Sequence, residues 1–292
     1  MAERDRWAEW LLERRFGGSA SSPEERVTWM EPLWARRDRV LDRAALEDGD
    51  VLLDVGCGDG LIGFSALERG VATVIFSDVS EELLDVCRAA ARDLGVADRC
   101  RFVAGRAEDL AGIDDESVDV VTTRSVLIYV EDKPRAFGEF LRVLRPRGRI
   151  SLYEPINRFS IRPDTPERFW VYPSGGLADL AKKIFAVFEA IQPESDPMLD
   201  FDERDLMAQA EHAGFFPVDL ELQAEIGPPK PVKWEIFANS SGNPKIPTYA
   251  EAMEQALTPE ERERVTAHLR PLVEEGRGVR RMAHAYLRAT KP

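Results

Sequence analysis

Between residues 51 and 153, short apolar runs alternate with stretches in which apolar residues recur at every third or fourth position. A short apolar run bounded by turn residues is typical of a buried parallel strand, and the recurring pattern is typical of an amphipathic helix. Strands are predicted at 51–55, 73–76, 101–103, 118–121 and 149–153, helices at 61–69, after Ser80 and after Asp132, and a turn at 145–148. Strands that alternate with helices predict βαβ units and therefore a parallel sheet.

The regular alternation stops on both sides of this stretch. Amphipathic helices are predicted in the first 45 residues, one of them begun by a capping sequence at Ser22, and another helix over 177–191. A helix over 203–213 precedes a strand over 217–226, a capping sequence at Thr258 begins a further helix, and a last strand is predicted over 282–289. The intervening stretches 155–200 and 227–278 are interpreted as insertions.

The composition narrows the class of partner. The chain has 39 Lys and Arg against 53 Asp and Glu, a net charge of −14, which argues against a nucleic-acid partner and against docking on anionic lipid. No apolar run approaches the roughly 20 residues of a membrane span, and the charged N-terminal residues do not resemble a secretory signal. The sequence therefore predicts a cytoplasmic protein with no nucleic-acid and no membrane partner.

Cysteine and histidine are too few and too scattered to predict a disulfide framework or a zinc cluster. Three cysteines and three histidines lie far apart along the chain. This spacing predicts neither a disulfide framework nor a zinc cluster, and we expect no metal centre.

The stretch from Asp54 to Gly60 carries the clearest chemical signal. It holds Gly56, Gly58 and Gly60 between the first predicted strand and the following helix. Glycines allow a tight turn and a close approach to a ligand, and the helix start offers free N–H groups. Asp78 lies at the end of the second strand, where its carboxylate can accept hydrogen bonds from both hydroxyls of a ribose.

Two classes of nucleotide-binding enzyme remain open at this point. Residues 58–63 also satisfy the dinucleotide pattern of three glycines with an acid about 20 residues further on, as in nicotinamide-dependent oxidoreductases. Asp54 and Asp59 weigh against that interpretation, because a carboxylate beside a pyrophosphate is unfavourable. An ammonium group, in contrast, would be attracted by Asp54.

Five ordered segments resemble the class I S-adenosylmethionine-dependent methyltransferases: VLLDVGCGDG (51–60), FSDVS (76–80), FVAGRAEDL (102–110), SVDVVTTRSVLIYV (117–130) and RVLRPRGRISLYEP (142–155). The resemblance implies a Rossmann-like, doubly wound α/β sheet of seven strands, mostly parallel with an antiparallel last strand, and S-adenosyl-L-methionine as cofactor. It divides the chain into an N-terminal helical cap (1–46), a cofactor-binding core (47–155), a lid insertion (156–200), a core helix and strand (201–226), a substrate-lid insertion (227–278) and a C-terminal core strand (279–292).

The same resemblance assigns roles to single positions. It implies that Asp54 binds the cofactor's amino group, that Gly56 and Gly58 pass under the cofactor, that Asp78 holds the ribose, that Val79 packs on the adenine, and that the Arg124 carbonyl lies near the amino group. The family often has Asp where this chain has Arg106. We therefore expect Arg106 to stack on the adenine, with the Ala107 N–H and the Glu108 side chain at its edge.

Residues beyond these motifs are candidates for catalysis and acceptor binding. Tyr129 and Glu154 follow neighbouring strands. Glu154 is a candidate general base that Tyr129 positions, or an anchor for a polar substrate, and the alternative is a hydrogen-bonded loop acid beside Arg158. Tyr129 either faces the transferred methyl group or packs under the next helix. The candidates for acceptor contacts are Trp34, Tyr172 and Trp234, in segments predicted to form a lid; the alternative for the tryptophans is packing within the cap.

The sequence therefore predicts an enzyme that transfers a methyl group by in-line displacement. The acceptor atom can be oxygen, nitrogen or carbon of a small-molecule or natural-product acceptor, including a peptidic one. A non-catalytic cofactor-binding protein and a nicotinamide-dependent oxidoreductase stay as alternatives, and the sequence leaves the oligomeric state open.

Overall fold

The structure is a computed structural model that describes residues 5–15, 17, 22–160 and 168–292, without the side chains at 23 and 25–29. The described residues form two compact units. The first, called here the sheet unit, comprises Glu31–Ile156, Phe201–Gln223 and His284–Pro292. The second, the helical unit, comprises the described parts of Met1–Met30, Asn157–Asp200 and Ala224–Ala283. The functional division of the chain into cap, core and lids stays a prediction.

Strands cover most of the predicted positions. Within the described residues they are β1 Val51–Val55, β2 Thr73–Asp78, β3 Cys100–Ala104, β4 Val118–Arg124, β5 Leu144–Pro155, β6 Arg168–Phe169, β7 Tyr172–Pro173, β8 Val218–Gly227 and β9 Arg280–Thr290. Seven of them form one sheet in the order β3-β2-β1-β4-β5-β9-β8, in which β1 to β5 are parallel and β9 runs antiparallel to β5. The predicted fold class, a mostly parallel seven-stranded sheet with an antiparallel last strand, is confirmed.

The helices in the same ranges are α1 Arg6–Glu9, which continues as a π-helical turn, α2 Pro23–Ala44, α3 Leu61–Glu68, α4 Glu81–Asp93, α5 Lys133–Val143, α6 Asn157–Ser160, α7 Ala178–Ile191, α8 Glu203–Ala213, α9 Trp234–Asn239, α10 Tyr249–Ala256 and α11 Pro259–Glu275. Caps explain several helix starts. The Ser80 hydroxyl accepts from Leu83 N, Asp132 accepts from Arg135 N, and Thr258 forms the predicted capping box. The side-chain partner predicted for Ser22 lies outside the described residues.

The sheet unit is held by close packing of α2, α3 and α4 on the central strands. Buried apolar residues of these helices and of β1 and β2 form one cluster, in which the Phe76 ring stacks on Phe102 at 5.4 Å. Gly63 on α3 is required by this packing, because a Cβ there would lie 2.3 Å from Phe76 Cε1. The third glycine of the dinucleotide-like pattern therefore serves helix–strand packing.

One predicted boundary was wrong. Residues 145–148, predicted as a turn before the strand, lie inside β5. Val118 pairs with Leu144 and Val120 pairs with Arg149. The register therefore moves by two residues along β4 and by five residues along β5. The extra residues form an irregularity with Arg147 at φ +68°, which keeps the local turn character that the Pro and Gly residues indicated.

The helical unit has a hydrophobic core of its own, built mainly from α7, α10 and α11. The predicted helices over 177–191 and from Thr258 are confirmed. Helices α9 and α10 and the β6–β7 hairpin were not predicted, since each is too short to show a periodic pattern.

Candidate functional site

The candidate site lies at the carboxyl ends of β1, β2 and β4. Val55 is level with Ser77 of β2 on one side and with Thr123 of β4 on the other. The strand order reverses between β1 and β4, and in open parallel sheets ligands bind in the crevice at such a reversal. The motif residues are therefore gathered at the place where this sheet can hold a ligand.

Asp54 is a buried carboxyl group beneath the glycine turn. Its two oxygens accept hydrogen bonds from Thr122 Oγ1 at 3.1 Å and from Gly63 N at 3.1 Å. Burial raises the pKa of Asp54 to about 7, and these two hydrogen bonds oppose that shift. A cation placed beside Asp54 would favour its charged form, so the carboxyl group is suited to an ammonium ligand.

The turn after β1 needs its glycines for backbone geometry and for space. Gly56, Gly58 and Gly60 all have positive φ values, of +65°, +57° and +84°. A Cβ on Gly56 would lie 2.4 Å from Val126 Cγ2, which belongs to the segment after β4. The turn is therefore packed against that segment, and only a residue without a side chain fits there.

Asp78 joins the glycine turn to the start of α4. The carboxylate is buried and accepts from Gly58 N at 2.9 Å and from Ser80 N at 3.0 Å. Carboxylate oxygens can each accept more than one hydrogen bond, which is compatible with the predicted ribose contact. Val79 follows with its side chain 49% exposed, as an adenine-packing residue needs to be before the ligand binds.

The segment after β3 holds the residues predicted for the adenine edge. Gly105 N donates to the Asp78 carbonyl at 3.0 Å, which fixes the segment beside β2. Arg106 Nε donates to Glu108 Oε1 at 2.8 Å, so the arginine that replaces the family's usual Asp pairs with the neighbouring acid. Ala107 is buried between them. Stacking of Arg106 on adenine stays a prediction, and it would compete with this ion pair.

Glu154 supports the segment after β4. Its carboxylate is buried, and its Oε1 accepts from Val126 N at 3.0 Å, Leu127 N at 3.1 Å and Thr123 Oγ1 at 3.2 Å. Burial raises its pKa to about 7 against these hydrogen bonds. This geometry supports a role for Glu154 in fixing the backbone after β4. Its hydrogen-bond partners there are main-chain N–H groups, whereas the sequence suggested Arg158. The role as a general base stays a prediction.

Tyr129 is the last residue of a 3-10 turn, Leu127–Tyr129, that follows β4. The turn begins where Glu154 accepts its N–H groups, and Tyr129 N donates to the Val126 carbonyl at 2.9 Å. The two predicted catalytic residues are thus brought to one loop, with Tyr129 half-buried.

Sequence reasoning missed a second group on the same sheet, around Tyr153. The Arg36 guanidinium lies 5.5 Å from the Tyr153 ring centre, and the Tyr153 hydroxyl and His284 Nδ1 are 2.8 Å apart. Arg124 is level with Tyr153 in the sheet register. No local sequence motif predicts this group, because its four residues come from distant segments of the chain.

The residues predicted for acceptor contacts divide between the units. Trp34 is half-buried on α2 in the sheet unit. Tyr172 and Trp234 belong to the core of the helical unit, where their rings lie 5.7 Å and 5.8 Å from Phe237. The structure thus records packing for Tyr172 and Trp234, and their role toward an acceptor stays a prediction.

The described ranges contain neither a membrane-spanning helix nor a metal-binding cluster, and their cysteines are unpaired. No helix there combines the length and the apolar character needed to cross a bilayer. No group of three or more His, Cys, Asp or Glu side chains is arranged to hold a metal ion among those residues. Cys57, Cys87 and Cys100 are free thiols.

Comparison with known proteins agrees with this site. Residues 53–152 match the family described as methyltransferase domain. The ubiquinone/menaquinone biosynthesis C-methyltransferase UbiE of Psychromonas ingrahamii is 32% identical over 136 residues, 44% of this chain and 53% of the relative. The tRNA 5-carboxymethoxyuridine methyltransferase of Escherichia coli K12 is 35% identical over 41% of this chain and 45% of the relative. The chain thus spans about half the length of the curated relatives it matches.

Solved structures share the fold. Geranyl diphosphate methyltransferase, solved in complex with SAM, matches with a TM-score of 0.53 at 18% identity, covering 89% of this chain and 85% of that one. The match over residues 53–152 places this part of the chain in the class I S-adenosylmethionine-dependent methyltransferase family. S-adenosylmethionine is the cofactor of this family, and the buried Asp54 and the glycine turn that excludes a Cβ fit it.

Proposed function

We propose that this chain transfers a methyl group from S-adenosylmethionine to an oxygen, nitrogen or carbon atom of a small-molecule or natural-product acceptor, including a peptidic one. The observation that supports this most is the arrangement of Asp54, the glycine turn and Asp78 at the reversal of strand order. When bound, S-adenosylmethionine would supply an electrophilic methyl group; the acceptor atom would bond to the methyl carbon as the bond from that carbon to sulfur breaks, and S-adenosylhomocysteine would leave.

In this proposal the chain's own residues mainly bind and orient. Asp54 accepts from the cofactor's ammonium together with the Arg124 carbonyl, and Asp78 accepts from the ribose hydroxyls. Val79, Ala107 and Glu108 contact the adenine. Aligning two reactants can lower a barrier by about 7–11 kcal/mol, so positioning alone can account for much of the acceleration.

Proton removal is a separate requirement that depends on the acceptor atom. If the acceptor must lose a proton, Glu154 is the candidate base, with a pKa raised to about 7 that suits the task at neutral pH. Its hydrogen bonds to Val126 N and Leu127 N support a positioning role for the same carboxylate, since they hold the turn that carries Tyr129. A pH–rate profile of Glu154→Gln separates the two roles, because only loss of a base removes a titration from kcat.

The acceptor class has one alternative supported by an observation. One relative methylates a tRNA nucleoside by its printed name, so RNA is a second candidate acceptor. The net charge of −14 weighs against it, because RNA binding draws on positive surface. For acceptor contacts we propose Trp34, Tyr172 and Trp234, as the sequence indicated.

Calorimetry and a transfer assay test the proposal. We expect S-adenosylmethionine and S-adenosylhomocysteine to bind, NADH not to bind, and Asp78→Asn to weaken both cofactor forms by about tenfold or more. Asp59→Asn is the matched control, because it removes an exposed acid from the same turn. Radiolabelled methyl transfer is then measured into metabolite fractions and into tRNA. Binding of NADH instead would refute the proposal, and binding without transfer to any acceptor would favour the non-catalytic alternative.

A further inference from the structure

The arginines of the sheet unit fall into two groups, with two exceptions. Those that are not exposed contact a carboxylate or a backbone carbonyl, as Arg149 does with Asp50 and Arg99 does with Val71. Those without such a contact are exposed: Arg92, Arg101, Arg135, Arg147, Arg204 and Arg288. Arg36 and Arg124 alone, among the described residues of this unit, are half-buried without an ion pair or a side-chain hydrogen bond.

Two half-buried guanidinium groups without counter-charges are costly in water-poor surroundings. The surroundings supply no direct partner here. Arg36 lies over the face of Tyr153, and the Tyr153 hydroxyl is engaged with His284. Burial raises the pKa of Tyr153, so the phenol stays neutral and offers no negative charge. Arg124 lowers the pKa of Asp54 through its charge, but the hydrogen-bond partners of Asp54 are Thr122 and Gly63.

Arg36, over Tyr153, lies on the side of the site away from the glycine turn. Tyr153 belongs to β5, and His284 to β9, beyond it. Neighbouring strands are about 4.8 Å apart, so the Tyr153 strand lies about 10 Å from β1. Arg124 at the end of β4 lies between the two regions. Residues over β5 and β9 therefore lie away from the nucleotide side marked by Asp78.

Charge balance points the same way. In the proposed function Asp54 balances the ammonium of S-adenosylmethionine, so the single carboxylate of the cofactor can balance at most one of the two arginines and a second anion is needed. We propose, on the basis of the proposed function, that Arg36 and Arg124 form a binding subsite for an anionic group of the acceptor, a carboxylate or a phosphate, with Tyr153 and His284 as its wall. Guanidinium groups suit both anions, because they donate in a planar fork.

Inorganic phosphate is the probe for this subsite. It is titrated at constant ionic strength into protein saturated with S-adenosylhomocysteine, and binding is followed by calorimetry. We expect saturable binding that Arg36→Met and Arg124→Met each weaken by about tenfold or more and Arg36→Lys weakens less. Arg101→Met on β3 is the matched control, since it removes the same charge from an exposed position, and it should bind phosphate as the wild type does. Absence of saturable binding, or equal binding by Arg36→Met, would overturn the proposal.

A second arm separates acceptor from cofactor. S-adenosylhomocysteine has an amino-acid end and 5′-methylthioadenosine lacks it. We expect Arg36→Met to bind both as the wild type does, which also shows that the variant is folded. Selective loss of S-adenosylhomocysteine binding would assign Arg36 to the cofactor's carboxylate and overturn the proposal. If the wild type binds neither nucleoside, the proposed function fails, and the phosphate titration of the cofactor-free protein still decides on the subsite.

Discussion

Replacing Glu154 by Gln should change how the stability of the protein depends on pH. The folded state raises the pKa of this carboxyl from 4.5 to about 7, because burial disfavours the charged form. The folded protein therefore binds the proton more tightly than the unfolded chain, and stability falls as pH rises from about 4.5 to about 7. At 1.36 kcal/mol per unit, the loss amounts to about 3 kcal/mol.

Gln cannot ionise but keeps an oxygen that can accept from Val126 N and Leu127 N. Urea unfolding, followed by far-UV circular dichroism at about pH 5 and about pH 8, gives the free energy of unfolding of both proteins. We expect the variant to gain about 2.5 kcal/mol relative to the wild type between these conditions, because part of the unfolded-state titration lies below about pH 5 and the other titrations cancel in the difference. Glu68→Gln on α3 is the control, because it removes an exposed carboxylate. A difference that does not change with pH would show that Glu154 ionises at its ordinary pKa, and the burial argument would be wrong.

Three other changes test the site and the core. Gly56→Ala should weaken S-adenosylhomocysteine binding by about tenfold or more, since its Cβ would lie 2.4 Å from Val126 Cγ2. In calorimetry, Val126→Ala added to Gly56→Ala should restore part of the lost affinity. Equal affinity of Gly56→Ala and the wild type would contradict this prediction. Cofactor binding at neutral pH should release protons from Asp54, because burial raises its pKa to about 7 in the free protein and the cofactor's ammonium favours the charged form. Calorimetry in buffers of different ionisation enthalpy measures this release, and Asp54→Asn should abolish it. Proton release that persists in the variant would come from another group. Gly63→Ala should destabilise the protein by about 1–3 kcal/mol in urea unfolding because it collides with Phe76, and an unchanged midpoint would show that the ring can move aside.

Local patterns predicted the parts of the fold that local physics determines. The apolar run of β1, the glycine turn and the caps at Ser80, Asp132 and Thr258 each depend on neighbouring residues, and the structure contains all of them. The strand boundary near Arg147 was missed, because whether a Pro- and Gly-containing stretch ends a strand or bulges within it depends on the partner strand.

The site was predictable only as far as its motifs reach. Glu154 could be placed at a strand end, but its partners are backbone N–H groups of residues 126 to 128, which no side-chain pattern reveals. The contact of Arg36 with Tyr153 joins residues more than a hundred positions apart through the packing of α2 on the sheet. Such contacts follow from strand order and register, which a single sequence does not state.

The position of β9 inside the sheet has a consequence for synthesis on the ribosome. This last strand of the sheet to be made inserts between β5 and β8, so until it emerges β5 presents an unpaired edge to solvent. Nascent chains on neighbouring ribosomes of one messenger RNA could pair through the free edge of β5. A chaperone that shields this edge would act late in translation. A reporter fused after Pro292 would therefore respond to completion of the sheet, whereas a break placed before His284 would leave β5 without the strand it pairs with.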